Sequence, residues 1–165
     1  MKKTFYDSPL GKMTILADDQ FLYGLWFNGQ KNFGGHYNLD MIEQGTSESS
    51  QKTIEWLKRY FAGQNPSLGG LTLAPAMTPF QKKVYQALKR VPYGQTVTYK
   101  ELSDAIQTEQ PAKNLSRAVG NAIGRNQILL LLPCHRVVGS YGSLTGYAGG
   151  LERKKSLLKL EGALN

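Results

Sequence analysis

Cys134 is the only cysteine of the chain and stands in the run Pro133-Cys134-His135-Arg136. A thiol becomes a nucleophile on losing its proton, and two basic neighbours favour that loss. A carboxylate that holds the imidazole in one tautomer would complete a thiol–base–acid set. Glu161, on the last predicted helix, is the candidate. Adjacent side chains often project in different directions, so a water bridge between thiol and imidazole is an alternative to direct contact. A lone cysteine is more often a small buried hydrophobe, so the assignment depends on its surroundings. A Cys/His metal site is not expected, because Cys134, His36 and His135 are the only residues of those types.

The elements around Cys134 must position it. Ile128–Leu132 is five consecutive aliphatics, which predicts a buried strand or extended segment leading into Pro133. Residues 139–150 hold five glycines, a loop whose backbone lets a planar substrate approach closely. Leu151–Leu160 predicts an amphipathic helix, with Leu151, Leu157, Leu158 and Leu160 opposite Arg153, Lys154, Lys155 and Lys159. Upstream, Thr78-Pro79-Phe80-Gln81 is a helix start whose Phe80, Val84 and Leu88 share a face, and Val91–Gly94 ends that helix. Thr98 caps a second short helix to Ile106, with Glu101 at its third position. Asn114 is expected to cap a third, Leu115–Ile123, stopped by Gly124. Two short helices, a connector of about eight residues and an arginine-bearing helix suggest a helix-turn-helix with a long turn.

The first half reads differently. Lys3–Tyr6 and Met13–Ala17 flank a turn at Ser8–Gly11, which predicts a hairpin, and Phe21–Phe27 a third strand. Residues 28–50 read as loop, including an exposed His36. Ser50–Phe61 reads as a helix with Ile54, Leu57 and Phe61 on one face, and Trp26, Trp56 and Phe61 as core. Gly63–Ala76 is the candidate linker. The expected division is 1–76 and 77–165.

Charge separates the same halves. Of 20 basic and 12 acidic residues, the first 76 positions hold seven of each, so the whole net charge of +8 lies in residues 77–165. That asymmetry points to a polyanion, most simply nucleic acid; the plainer alternative is a solvated basic surface. With 165 residues, 41% hydrophobic and 19% charged, the chain can build a real core. It has no apolar run of the ~18 residues that span a membrane. Asp7, Lys12 and Asp18 interrupt the N-terminus, which argues against a secretory signal. The cytosol or another reducing, soluble compartment is expected.

The ordered motifs resemble the O6-alkylguanine-DNA alkyltransferases (methylated-DNA–protein-cysteine methyltransferases). Pro133–Val137 resembles their active-site motif, preceded by Tyr93-Gly94 and Thr98-Tyr99. Ser116-Arg117-Ala118-Val119-Gly120 resembles the start of their recognition helix, and Asn126 stands at their hinge asparagine. Gly146–Leu151 and Leu157-Leu158 to Glu161-Gly162 resemble their C-terminal elements. The likeness spans roughly Thr78–Gly162; the first third resembles the family only through its strands and size. In two places the chain departs. Gln127 follows the hinge asparagine where the family often has proline, and Leu129 stands where a second proline walls the pocket. That bears on tolerance for bulky adducts and leaves the basic chemistry in place.

The resemblance implies a fold and a mechanism. The fold is an α/β N-terminal domain with a small antiparallel, ribonuclease H-like sheet, then a mostly α, winged-helix-like domain with a helix-turn-helix. Cys134 would take the alkyl group from O6 of guanine, and possible O4-alkylthymine activity goes with it. His135 would receive the thiol proton through water, oriented by Glu161. Tyr99 would serve N3 of the leaving base, the Ala148 N–H would serve O6, and the Cys134 and Val137 carbonyls the exocyclic amine. Asn126 would fix the turn and Tyr147 line the base pocket. Arg117 would fill the space left by a base flipped from double-stranded DNA, with the helix in the minor groove. Ser116, Gly120 and Arg136 are further DNA-side candidates. No cofactor or metal and no membrane is expected, and the protein is expected to act once, as a monomer. Two other readings compete. A lesion-recognition relative without chemistry would have lost the nucleophile, and a helix-turn-helix regulator with a redox cysteine would show sequence-specific binding and no lesion preference.

Overall fold

A computed structural model describes residues 1–165, which divide into two compact units. The first is Met1–Ala76 with Gln127–Leu131; the second is Met77–Asn126 with Leu132–Asn165. No helix is long and apolar enough to cross a membrane.

The first unit is an antiparallel sheet in the order β1 (Lys2–Ser8), β2 (Gly11–Ala17), β3 (Leu22–Phe27). Ser8 closes the hairpin: its Oγ accepts from Leu10 N and donates to the Gly11 carbonyl. The β2 strand is central and buried from Met13 to Ala17 on both faces. Helix α1 (Glu48–Phe61) begins two residues before the expected Ser50, because Ser47 and Ser50 form a reciprocal capping box. Its buried face is Thr53, Trp56, Leu57 and Tyr60. Phe61, expected in the core, is only half-buried. Trp56 stacks on Tyr60 at 5.1 Å and turns the face by one residue. The Gly63–Ala76 stretch is not a free linker: Leu22 N donates to Thr72 O and Ala74 N to Leu22 O. The aliphatic run is likewise tied to β3, through Leu25 N to Gln127 O at 2.8 Å and Leu129 N to Leu25 O at 3.0 Å.

The second unit is mostly helical: α2 (Pro79–Leu88), α3 (Tyr99–Ala105), α4 (Ser116–Gly124) and α5 (Leu151–Leu160). Thr78 and Thr98 cap α2 and α3 with full capping boxes through Gln81 and Glu101. The first three helices pack on one another, with α3 and α4 as the helix-turn-helix. The connector is clamped. Ser103 Oγ accepts from Leu115 N and donates to Lys113 O, while Gln107 bridges Ser103 and Lys113. Asn114 does not cap α4. The cap is Leu115, and Asn114 Oδ1 accepts instead from Ser116 N in a local turn. Two two-residue strands, β4 (Val97–Thr98) and β5 (Val137–Val138), pair in parallel. They bring the start of α3, and so Tyr99, beside the chain that leaves Cys134. In α5 the helical spacing 154, 157, 158, 161 faces inward, so Leu151, expected on the apolar face, is exposed.

Candidate active site

Cys134 begins a single 3-10 turn, Cys134–Arg136, and is 1% exposed. The buried Asn126 holds this turn from below: its Nδ2 donates to Leu132 O at 2.9 Å and to Cys134 Sγ at 3.1 Å. The thiol is therefore fixed by one amide that also fixes the backbone leading to it. Burial pushes the thiol up to about 11, against the opposing pull of Asn126 and of Lys154. The expectation that His135 and Arg136 would favour a resting thiolate is thus corrected. Desolvation dominates, and both basic groups are turned onto Glu161.

His135 and Glu161 are fully buried, and His135 Nε2 lies 2.5 Å from Glu161 Oε2. Arg136 Nε donates to the other carboxylate oxygen at 2.8 Å, and Gly94 N also points at it. Burial lowers the imidazole pKa from its ordinary value, opposed by Glu161. A neutral ring donating from Nε2 keeps Nδ1 as its acceptor, the tautomer a general base needs. Gly94 is required where the loop passes Glu161. It has φ +83°, and a side chain there would meet the Glu161 carbonyl at 3.0 Å. Arg136 is not available to a phosphate: its side chain is 11% exposed and also donates to Val91 O. It holds Glu161 instead.

Sequence reasoning missed Lys154. It is 0% exposed, and its Nζ donates to the carbonyls of Val137, Thr145 and Gly146. Burial lowers its pKa to about 8. Its signal was present in the spacing, since 154, 157, 158 and 161 share one helical face, but lysine was read as the solvent side. This ammonium joins α5 to β5 and to the glycine-rich loop. Tyr99 OH donates to the same Thr145 carbonyl at 3.1 Å. Burial raises the Tyr99 pKa, so the phenol keeps its proton. Tyr147 is half-buried and lies edge-on to the His135 ring at 6.5 Å, and Ala148 beside it is buried. The Cys134 carbonyl accepts from Val137 N and the Val137 carbonyl from Lys154, which leaves each one further lone pair.

On α4, Gly120 lies over the Tyr99 ring, whose edge a side chain would touch at 3.7 Å. Val119, Ala122 and Ile123 are buried, Ser116 is half-buried, and Arg117, Ala118 and Asn121 form the outer face. That face is small, polar and basic. The site thus gathers a fixed thiol, an oriented neutral imidazole, a protonated phenol and a buried cation.

The sequence model of the 6-O-methylguanine DNA methyltransferase ribonuclease-like domain matches residues 1–75, and that of the family's DNA binding domain matches residues 79–163. The chain belongs to the 6-O-methylguanine DNA methyltransferase family. It is 41% identical to the methylated-DNA–protein-cysteine methyltransferase of Methanosarcina acetivorans, over 99% of both chains. It is 36% identical to that of Haemophilus influenzae, over 96% of this chain and 84% of the relative. Its fold matches the crystal structure of Mycobacterium tuberculosis OGT in complex with DNA, with a TM-score of 0.84 and 35% identity. That match covers 99% of this chain and 94% of the other. In this methyltransferase family member, the matched DNA binding domain contains the whole Cys134–Glu161 constellation and the arginine-bearing α4.

Proposed function

We infer that this protein repairs O6-alkylguanine in DNA directly, by one irreversible transfer of the alkyl group to Cys134. The observation that carries this reading is the buried thiol of a family methyltransferase, held by Asn126 beside a Glu161-oriented His135. The thiol gives its proton to His135 Nδ1, through a water where direct contact is not made. Sγ then attacks the alkyl carbon in line with the C–O6 bond. The S–C bond forms, the C–O6 bond breaks, and its electron pair passes to the guanine. The proton released by the thiol is returned to the base, with the Tyr99 phenol as the group that hydrogen-bonds or protonates N3. The products are intact guanine and S-alkylcysteine, a thioether with no easy leaving group, so each molecule acts once.

The resting thiol suits a nucleophile used only once: a protonated, buried sulfur resists oxidation until substrate arrives. Lys154 offsets the charge that ionisation creates in this dry site. The target atom lies inside the duplex, so the base leaves the stack to reach Cys134. Arg117 on the outer face of α4 fills the vacated space from the minor groove, and the protein acts as a monomer. Phosphate-led binding of this kind is salt-dependent and weakly sequence-selective.

The test is intact-protein mass spectrometry after incubation with a duplex carrying one O6-methylguanine, followed by peptide mapping. One methyl on Cys134, saturating at one per protein, is expected. No adduct with tight lesion-selective binding would replace this reading with recognition without chemistry.

A further inference from the structure

The segment Gly139–Thr145 is anchored at both ends to the site. It leaves β5 directly after Val138, and it ends at Thr145, whose carbonyl takes hydrogen bonds from Tyr99 and Lys154. Between the anchors the backbone closes a tight turn, with Gly139 N donating to Ser143 O at 2.8 Å and Gly142 N to Gly139 O at 3.2 Å. The turn has no room at its base, since a side chain on Gly139 would meet Ser143 Oγ at 2.4 Å. At its tip stands Tyr141, with φ +59° and ψ 26°. Its relative exposure is 107%, so its ring packs against nothing in the chain.

That combination is costly within the fold. The left-handed region is rare for a bulky residue, and glycine or asparagine would make the same turn with less strain. An aromatic side chain that is strained and unpacked contributes nothing to the stability of the free protein. The other exposed large apolar residues, Met1, Phe33, Met41 and Leu151, stand elsewhere in the chain; only Tyr141 lies on the loop that frames the site. An extruded nucleotide leaves base faces unstacked, and a tyrosine ring covers such a face with little loss of side-chain entropy.

We propose that Tyr141 is a DNA-contact residue of the repair reaction, its ring stacking on a base face exposed when the lesion nucleotide leaves the helix. The inference rests on the base-flipping transfer described above. Its loop carries the ring while its anchors hold Thr145 and Gly146, so binding of the strand and shaping of the site occur on one segment.

The experiment compares wild type, Tyr141→Gly and Tyr141→Phe in three assays. These are single-turnover repair of an O6-methylguanine duplex at limiting protein, reaction with free O6-benzylguanine, and thermal unfolding. Tyr141→Gly should repair the duplex roughly 5- to 150-fold more slowly, the range of one lost base–aromatic stack. Its rate with the free base should be unchanged and its Tm equal or higher, because strain has been relieved. Tyr141→Phe should repair at the wild-type rate. Duplex repair by Tyr141→Gly at the wild-type rate overturns the proposal. Equal loss in Tyr141→Phe also overturns it, since the hydroxyl and not the ring face would then make the contact. Loss with both substrates and a lowered Tm would make the residue structural. Failure of wild type to acquire an alkyl group from either substrate would instead overturn the transfer reading itself.

Discussion

Both units bury neutral polar groups, Ser103 and Asn126 among them in the second, but only the second buries acidic and basic ones. In the first, the buried polar residues are Thr4, Thr14, Gln30, Ser47, Ser49, Ser50 and Thr53, all hydroxyls or an amide. Its ion pairs, Lys2–Glu43, Lys52–Glu48 and Arg59–Glu55, lie on the surface. In the second, His135, Lys154 and Glu161 are buried, Arg136 is nearly so, and the thiol lies among them. Neutral groups bury cheaply when hydrogen-bonded, whereas buried charges need exact partners and seldom add stability. The first unit is therefore built for stability, and the second spends stability to hold charge where a reaction needs it.

The comparison breaks most decisively at the thiol. Cys134→Ala should abolish methyl transfer completely while DNA binding persists, read by mass spectrometry and by gel shift. Transfer to any other residue would remove Cys134 from the chemistry. Next in size is Glu161→Gln, which leaves His135 without its anchor and Arg136 buried without a carboxylate. Single-turnover repair should fall about 100-fold, within the usual contribution of general base catalysis. Stability should fall by about 3–5 kcal/mol, the cost of breaking a buried pair. The matching change at a surface pair, Glu55→Gln, should leave both Tm and repair unchanged. If the two variants behave alike, the contrast between the units is empty.

Lys154→Met sharpens the contrast through pH. Repair by wild type should rise with pH as the thiol ionises, then bend near pH 8, where Lys154 discharges and stops opposing the burial of the thiolate. The variant should be roughly tenfold slower at neutral pH, about 1.4 kcal/mol of barrier, and should lack the bend. A bend that survives belongs to another group. Folding stability gives the same assignment with its sign. Between about pH 8 and the ordinary lysine value of 10.5, unfolded Lys154 holds more protons than folded Lys154, so this residue makes stability rise with pH. Cys134, raised from 9.0 to about 11, holds more protons when folded and makes stability fall between about pH 9 and 11. The variant should therefore lose stability more steeply above pH 8 than wild type. Arg117→Ala should leave the chemical step intact and slow only duplex repair, about tenfold, by an unfilled gap in the stack. Reaction with free O6-benzylguanine should be untouched, and equal losses would remove Arg117 from base extrusion.

The chain order of motifs made most of this legible. The three strands and the caps at Thr78 and Thr98 follow from local patterns that the fold preserves, whereas Asn126 was singled out only by the family resemblance. What was not legible depends on contacts far apart in sequence. Thr72 and Ala74 looked like linker, yet they bond to β3. Asn114 looked like a cap, yet its carbonyl oxygen is spent one residue early in a local turn. Arg136 was only a DNA-side candidate, because nothing near it in sequence reveals Val91 O and Glu161 as its partners. Lys154 is the clearest case. Three carbonyls from two other segments make its burial tolerable, and no helical wheel can supply them.

The smallest expected effect on transfer completes the comparison. Leu57, on α1, and Leu158, on α5, are buried to 0% and 1% exposure, so truncating either to alanine opens a cavity in its own unit. Each should cost about 2–5 kcal/mol by chemical denaturation. Their effects on chemistry should diverge. Leu158 lies between Lys154 and Glu161 on one helical face, so its loss loosens the two charged groups that order the site. Leu57 shares the buried face of α1 with Thr53, Trp56 and Tyr60, and no site residue lies on its helix. Measured well below both melting points, Leu158→Ala should slow repair while Leu57→Ala leaves the rate of the folded protein unchanged. The first unit also grips Gln127–Leu131, the stretch that joins Asn126 to the Cys134 turn. A rate loss in Leu57→Ala equal to that in Leu158→Ala would show that this grip sets the thiol's position. The first unit would then belong to the catalytic apparatus and not only to the fold.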